Sequence, residues 1–272
     1  MHWPPDHPAV ADPALARWSA GADSICPDAE VVELLRYLPG RRVASRVRTG
    51  SQDAVLKVFA SPRARGNHRR LAAIAATPAA GLVPAPLAVD ESGHVGLVEF
   101  ITGTPLSKNR SIDAARQAGA VVRRLHDSGA VLDRHWSIGD ELAQLRRTAG
   151  AQTRDAIETA IERWAPETAD GSVPAHRDCY PAQAVLTSNG VRLIDLDDAA
   201  MAPPGLDVGN FTAHLIKEGA SPEAVAAFLE GYGDVPADHS QWEQLSLARL
   251  AALAETRHGR PEDVRELLEL LR

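Results

Sequence analysis

The chain has 272 residues, of which 44% are hydrophobic and 24% charged, and it carries a net charge of −7. This composition is typical of one large or two moderate globular domains with a sizeable core. The negative charge argues against nucleic acid as a partner, because phosphate backbones repel it. No apolar run approaches the roughly 20 residues of a membrane helix, and no signal peptide is visible, so we expect a soluble, cytoplasmic protein without a membrane partner. The spacing of Cys26 and Cys179 fits neither a metal site nor a disulfide framework, which indicates reduced thiols.

The first 38 residues are predicted to form an arm followed by a helix. Residues 1–22 are rich in Pro, Ala and Asp, which is typical of a partly ordered arm with one short helix. Residues 28–38 place four apolar side chains at helical spacing, so we expect them to share one helix face. These four are Val31, Leu34, Leu35 and Leu38.

The next part of the chain has the pattern of strands with one internal helix. The strand patterns cover residues 41–48, 53–59, 84–90 and 94–100. Between the second and third strands, Ser61 and Pro62 form a typical helix start, with Ser as the N-cap and Pro at the first helical position. This helix is predicted to end near residue 76.

After a linker at residues 101–106, the periodicity becomes helical. Ser111 is placed to cap one helix, and Ser137-x-x-Asp140 is a capping-box pattern that opens the next. A short hairpin with an Asn-Gly turn, over residues 184–195, interrupts the helices. Strands followed by helices predict an α+β protein with two lobes, a small and mostly antiparallel β-lobe and a larger helical lobe.

The segment before this hairpin carries the strongest chemical signal. His176, Arg177 and Asp178 match the start of the protein-kinase catalytic loop H-R-D-x-x-x-x-N, and Gln183 stands where that motif has Asn. Asp195 follows the second strand of the hairpin. Phosphoryl transfer needs one carboxylate to accept the proton of the attacking hydroxyl, which would be Asp178, and another to hold Mg²⁺ against the phosphates, which would be Asp195. The amide oxygen of Gln183 could supply a further Mg²⁺ ligand.

Lys57 lies in an otherwise apolar strand pattern, Ala54 to Val58. A lysine in such a strand is costly to bury unless its ammonium group meets anions, and the α- and β-phosphates of ATP would be such a partner. An edge-strand lysine that reaches solvent is the alternative.

With these motifs in order, the sequence resembles the aminoglycoside phosphotransferase family, which has the protein-kinase-like fold. The resemblance covers residues 28–258. Further motifs that carry it are Leu56-Lys57-Val58, the segment 97–103, Arg124-Leu125-His126, Leu193-Ile194-Asp195 and Pro204-Gly205-Leu206-Asp207. It implies that Asp178 is the catalytic base, that Asp195 binds the metal, and that Asp207 braces the catalytic loop.

The same resemblance implies a nucleotide site. Lys57 would contact the phosphates, and the backbone near Glu99, Phe100 and Ile101 would hydrogen-bond the adenine. Leu186 and Ile194 would also contribute to this site.

Three features depart from the family pattern. Gln183 replaces the usual Asn, and the turn at residues 49–51 has one glycine instead of a Gly-rich loop. The helix predicted at 62–76 contains no acidic residue to pair with Lys57, so Glu30 or Glu33 would have to substitute.

Two functional hypotheses follow. The first is an O-phosphotransferase that uses ATP or GTP with Mg²⁺ and phosphorylates a hydroxyl of a small molecule, an aminoglycoside or a related sugar or natural product, with a cationic acceptor left open. Asp197, Asp198, Glu218, Glu230 and Glu255 are available to bind ammonium groups. The second is a degenerate kinase fold that binds a ligand or partner without transferring phosphate. The expected organisation is an arm at 1–27, a nucleotide-binding lobe at 28–101, and a helical lobe with the catalytic loop and acceptor site at 102–272.

Overall fold

The computed structural model describes residues 1, 3–109, 111–168, 171–258 and 261–271. The chain divides into two compact units, Met1–Thr102 and Gly103–Arg272. The first is built around an antiparallel sheet and the second is mainly helical, as the sequence predicts.

The N-terminal unit contains a five-stranded sheet in the order β1-β2-β3-β5-β4, in which all neighbouring strands are antiparallel. Its strands are β1 (Glu30–Leu38), β2 (Arg42–Thr49), β3 (Gln52–Phe59), β4 (Pro86–Val89) and β5 (Val95–Glu99). Helix α4 (Ala64–Ala75) connects β3 to β4. It begins at Ala64 and has no side-chain cap, so the prediction that Ser61 caps it was wrong.

The helix predicted at residues 28–38 was wrong, because this segment is the edge strand β1. Residues such as Leu34 and Leu35 point away from the core and are 45% and 40% exposed. The ladder to β2 is irregular between Val31 and Glu33 and again between Leu34 and Arg36. Apolar residues on an exposed and irregular edge strand lose the alternation by which a strand is recognised, and here their spacing imitated a helix.

The predicted arm contains three short helices instead of one. They are α1 (Pro8–Ala11), α2 (Pro13–Ser19) and α3 (Gly21–Ile25). Leu15 of α2 and Cys26, which follows α3, pack in one core cluster with sheet residues such as Leu56 and Val58. The imidazole of His7 forms a hydrogen bond of 2.9 Å with the hydroxyl of Ser45 on β2. The helices therefore cover one face of the sheet, and alternation places Lys57 and Arg46 on the other face.

The C-terminal unit consists of helices and short strand pairs. The helices are α5 (Ile112–His126), α6 (Ile138–Thr148), α7 (Arg154–Trp164), α8 (Pro204–Lys217), α9 (Pro222–Tyr232), α10 (His239–Leu253) and α11 (Pro261–Glu269). The strands are β6 (Thr104–Pro105), β7 (Val173–Ala175), β8 (Ala184–Thr187), β9 (Gly190–Leu193) and β10 (Ala200–Ala202). The predicted hairpin is β8–β9, whereas the pairing of β7 with β10 was not predicted.

Local signals fix several helix starts in this unit. The hydroxyl of Ser111 accepts a hydrogen bond from the backbone of Ala114, and Ser137 with Asp140 forms the predicted capping box. Helices α5 and α9 pack so closely that a Cβ atom on Gly119 would lie 2.0 Å from the carbonyl oxygen of Phe228. A side chain at position 119 is therefore excluded without movement of a helix.

Candidate active site

The loop that carries Asp178 is held by the buried carboxylate of Asp207, at the start of α8. One carboxylate oxygen accepts the backbone N–H of His176 at 2.6 Å, and the other accepts that of Arg177 at 2.7 Å. His126, at the end of α5, adds a hydrogen bond of 3.1 Å. Burial alone raises the pKa of Asp207, but these bonds outweigh it and hold that pKa below its ordinary value. Asp207 therefore stays ionised and fixes the loop, which is the role that the resemblance implies.

Two hydrogen bonds tie this loop to the β8–β9 hairpin. The Nε2 atom of His176 donates to the carbonyl oxygen of Ile194 at 2.8 Å, while its Nδ1 atom accepts the backbone N–H of Asp178 at 3.3 Å. The N–H of Ile194 donates to the carbonyl oxygen of Gln183 at 2.8 Å. The C-terminal unit thus brings Asp178, Gln183, Ile194 and Asp195 into one bonded segment.

Asp195 has a left-handed backbone conformation, with a φ of 59°. This conformation is uncommon for residues other than Gly and Asn, and such residues concentrate at functional sites. The side-chain nitrogen of Gln183 donates to the hydroxyl of Tyr180 at 3.2 Å, which leaves the amide oxygen as its free coordinating atom. Among the described residues no group of three or more His, Cys, Asp or Glu side chains could hold a metal. One carboxylate with one amide oxygen nevertheless fits Mg²⁺, which takes its other ligands from phosphates and water.

Asp178 is partly buried, and its surroundings set its basicity. Burial raises the pKa of its carboxyl group above the ordinary value, while the charges of Arg249 and His176 oppose that rise. A carboxylate of raised pKa is better suited to accept a proton from a hydroxyl group.

The residues of the N-terminal unit that are predicted to bind nucleotide lie on β3 and at the end of β5. Lys57 is opposite Gly96 in the ladder, and Glu99 is opposite Ala54. The N–H of Glu99 donates to Ala85, and that of Phe100 to Asp53. Leu186, the remaining predicted nucleotide contact, is on β8 of the other unit, opposite Val191.

The model of the phosphotransferase enzyme family matches residues 32–246, most of the chain. The chain belongs to this family. No curated protein sequence matches it significantly.

Solved structures share the fold of this family member. The choline kinase LicA from Streptococcus pneumoniae is 15% identical, with a TM-score of 0.67 over 93% of this chain and 98% of that one. An aminoglycoside-3'-phosphotransferase of type VIII is 21% identical, with a TM-score of 0.66 over 87% and 99%. A GDP and kanamycin complex of APH(2")-IIia is 14% identical, with a TM-score of 0.62 over 94% and 97%. At these identities the likeness establishes the kinase-like fold. No helix in the described part of the chain has the length and apolarity to span a membrane.

Helix α4 of this family member has no acidic residue and carries buried polar side chains. The two buried polar side chains on its inner face are Asn67 and Arg70, and Arg70 donates to Asn67 at 2.7 Å. The suggested substitutes for the missing acidic residue lie on β1. Glu33 is opposite Arg46 on β2, and Arg46 is opposite Val55 on β3. Glu33 is therefore two strands away from Lys57, which lies two residues beyond Val55.

Several side chains around the catalytic loop of this family member were not predicted from the sequence. The guanidinium group of Arg177 lies 3.4 Å from the ring centroid of Trp136. The amide of Asn210 donates to the carbonyl oxygen of Cys179 at 2.7 Å, and Arg249 donates to Asn210. Asn210 follows Asp207 by three residues in a helical segment, and this spacing could have identified it. Arg249 is far away in the sequence and gave no comparable signal.

Proposed function

We propose that this protein transfers the γ-phosphate of ATP to a hydroxyl group of a small molecule, such as an aminoglycoside or a related sugar or natural product. The observation that carries the proposal is the bonded segment of Asp178, Gln183, Ile194 and Asp195, braced by Asp207. Family membership and the small-molecule kinases among the fold neighbours support it. GTP is the alternative donor, since one neighbour is a GDP complex. We place the reaction in the cytoplasm, where nucleotide and Mg²⁺ are available.

In the proposed reaction, Asp178 accepts the proton of the acceptor hydroxyl as its oxygen forms a bond to the γ-phosphorus. The bond from the γ-phosphorus to the β–γ bridging oxygen breaks, and ADP leaves with that oxygen. Asp195 and the amide oxygen of Gln183 would hold Mg²⁺, which supplies charge neutralisation for the phosphates when it is bound. The hydrogen bonds of His176 keep Asp178 and Asp195 in a fixed relation through the transfer.

For the nucleotide, we propose that Lys57 pairs with the phosphates, and that Leu186 and Ile194 contact the base. The backbone from Glu99 to Ile101 would hydrogen-bond the base edge. Within the described residues, Ile101 is the one of these three whose N–H has no acceptor. Its N–H is therefore the proposed donor.

The test is a calorimetric titration of the wild type and Asp195→Asn with Mg²⁺-ATP and Mg²⁺-GTP, followed by turnover assays of Asp178→Asn. We expect Mg²⁺-dependent nucleotide binding that weakens in Asp195→Asn. Asp178→Asn should keep nucleotide binding and lose turnover by at least ~100-fold, the usual contribution of a general base. Asp133→Asn, a substitution of a surface carboxylate, is the matched control. Wild-type protein that is folded but binds neither nucleotide at millimolar concentration would contradict the proposal.

A non-transferring kinase fold is the second candidate, and the inner face of α4 favours it. The pair of Arg70 with Asn67 occupies the helix that usually offers an acidic partner to the strand lysine. This candidate predicts that the protein binds a ligand but shows no phosphate transfer that depends on Asp178. Phosphate transfer that depends on Asp178 would exclude it.

A further inference from the structure

Arg249, on α10, is linked by hydrogen bonds to the loop of the proposed base. It donates to the side-chain oxygen of Asn210, whose amide holds the carbonyl oxygen of Cys179, the residue after Asp178. Burial raises the pKa of Asp178, and the charge of Arg249 opposes that rise. A guanidinium group is therefore connected, through one side chain, to the loop that carries the proposed base.

The charge of Arg249 is only loosely compensated by the protein. The nearest carboxylate oxygen, on Glu141, is 3.9 Å from Nη1, which is beyond hydrogen-bond distance. The other oxygen of Glu141 accepts the indole N–H of Trp136 at 2.9 Å. The Nε atom of Arg249 is buried without an acceptor among the described residues. A mostly buried guanidinium group with incomplete pairing favours the arrival of an anion.

Another group near Arg249, His214, adds no negative charge. His214 stacks on Tyr180, with ring centroids 4.5 Å apart. Burial first, and then Arg249 and Lys217, lower the pKa of His214 to about 3, so this side chain is neutral at pH 7. Arg177, whose guanidinium group lies over the ring of Trp136, is a second cation of the loop.

Three of the five carboxylates named above for a cationic acceptor make other contacts. Glu230 pairs with Arg116 at 2.8 Å on the exposed surface of α9 and α5. Glu255 accepts the hydroxyl of Thr153 at 2.7 Å and the backbone before α7. Asp198 pairs with Arg134 at 3.1 Å. These three carboxylates are therefore already engaged by the protein's own groups.

We propose that the acceptor is a small hydroxylated molecule with a carboxylate, and that Arg249 binds this carboxylate beside Asp178. The inference rests on the proposed phosphotransfer. It makes the acceptor an anion, whereas the sequence left a cationic acceptor open. A single guanidinium fork matches a carboxylate in geometry and charge. Arg249 would then select the acceptor and orient its hydroxyl toward the base.

The test uses two triplets of probes that differ mainly in charge. One is D-glucuronate, D-glucose and D-glucosamine, and the other is glycerate, glycerol and 2-amino-1,3-propanediol. Each is titrated calorimetrically into the full chain without nucleotide and then assayed with Mg²⁺-ATP. We expect the carboxylate member to bind best in each triplet. Arg249→Gln should weaken that member by roughly 10–100-fold, the range for a charge-assisted hydrogen bond, and leave the neutral member unchanged.

Two further variants control for folding and charge. Arg249→Lys keeps the charge and should retain part of the preference, whereas Arg123→Gln, on the exposed surface of α5, should change nothing. The inference is overturned if the carboxylate members bind no better than the neutral ones. It is equally overturned if the ammonium members bind best, or if Arg249→Gln weakens all members alike.

The outcome is separable from that of the proposed function. Carboxylate binding that requires Arg249, without nucleotide binding, would support the anion site and contradict the proposed kinase function. Nucleotide binding that requires Asp195, without a preference for carboxylates, would support the proposed kinase function and contradict the anion site.

Discussion

Replacement of Asp207 by Asn tests whether the catalytic loop depends on one buried carboxylate. Asn has nearly the same volume but one acceptor oxygen, so the two backbone N–H groups at 2.6 and 2.7 Å can no longer both be satisfied. The substitution also removes the charge that His126 contacts at 3.1 Å. Breaking a buried, charge-assisted arrangement of this kind costs about 3–5 kcal/mol. That is a large part of the ~5–15 kcal/mol that stabilises a typical domain.

The assay is urea unfolding followed by tryptophan fluorescence, with Asp127→Asn as the control. Asp127 pairs with Arg123 on the exposed surface of α5, and such pairs contribute about 0.3–0.5 kcal/mol. Since the pKa of Asp207 is lowered from 3.8 in the folded chain, its stabilisation is complete above that value. This stabilisation is lost as the pH falls from 3.8 through the lower pKa that Asp207 has in the folded state. A cost for Asp207→Asn below ~1 kcal/mol at pH 7, or one equal to that of Asp127→Asn, would refute the reasoning.

Three further substitutions test packing, capping and the basicity of the site. Gly119→Ala should destabilise by about 1–3 kcal/mol through overpacking, measured by urea unfolding. Gly139→Ala, in the exposed part of α6, should instead stabilise the protein by about 0.5–1 kcal/mol. If both glycine variants change the free energy of unfolding in the same direction, the close approach of α5 and α9 is contradicted. Ser137→Ala should cost about 1 kcal/mol through loss of the capping box, and an unchanged midpoint would count against that cap. Asp178→Asn should raise the urea midpoint at pH 7, because a carboxyl group whose pKa is raised in the folded state destabilises the fold once it ionises. The difference from the wild type should vanish below pH 3.8. A midpoint at pH 7 that is lower than that of the wild type would contradict this prediction.

The elements that the sequence predicted well depend on local chemistry. Ser111 and Ser137 are N-caps whose partners lie three residues away, so a short window contains the whole interaction. The hairpin that joins the loop of Asp178 to Asp195 is likewise local, with its Asn-Gly turn. The kinase-like fold could be predicted because these motifs occur in the expected order.

What the sequence could not predict depends on distant partners. Strand β1 is a strand because it pairs with β2, and its own residues fit a helix equally well. The pairing of β7 with β10 joins residues about 27 positions apart in sequence, from three-residue segments too short to carry a pattern. Arg249 comes to Asp178 from another helix, through Asn210, and only the tertiary packing reveals it.

The two cysteines described above have a practical consequence for labelling the protein. Cys26 is 3% exposed and Cys179 is fully buried, and burial raises the pKa of Cys26 to about 11 and that of Cys179 well above its ordinary value. Thiols of this kind react slowly with maleimides, because the thiolate is the reactive form. A single cysteine introduced on the surface would therefore be labelled selectively in the native protein. Such a cysteine could carry a spin label or a fluorophore, without removal of either native thiol.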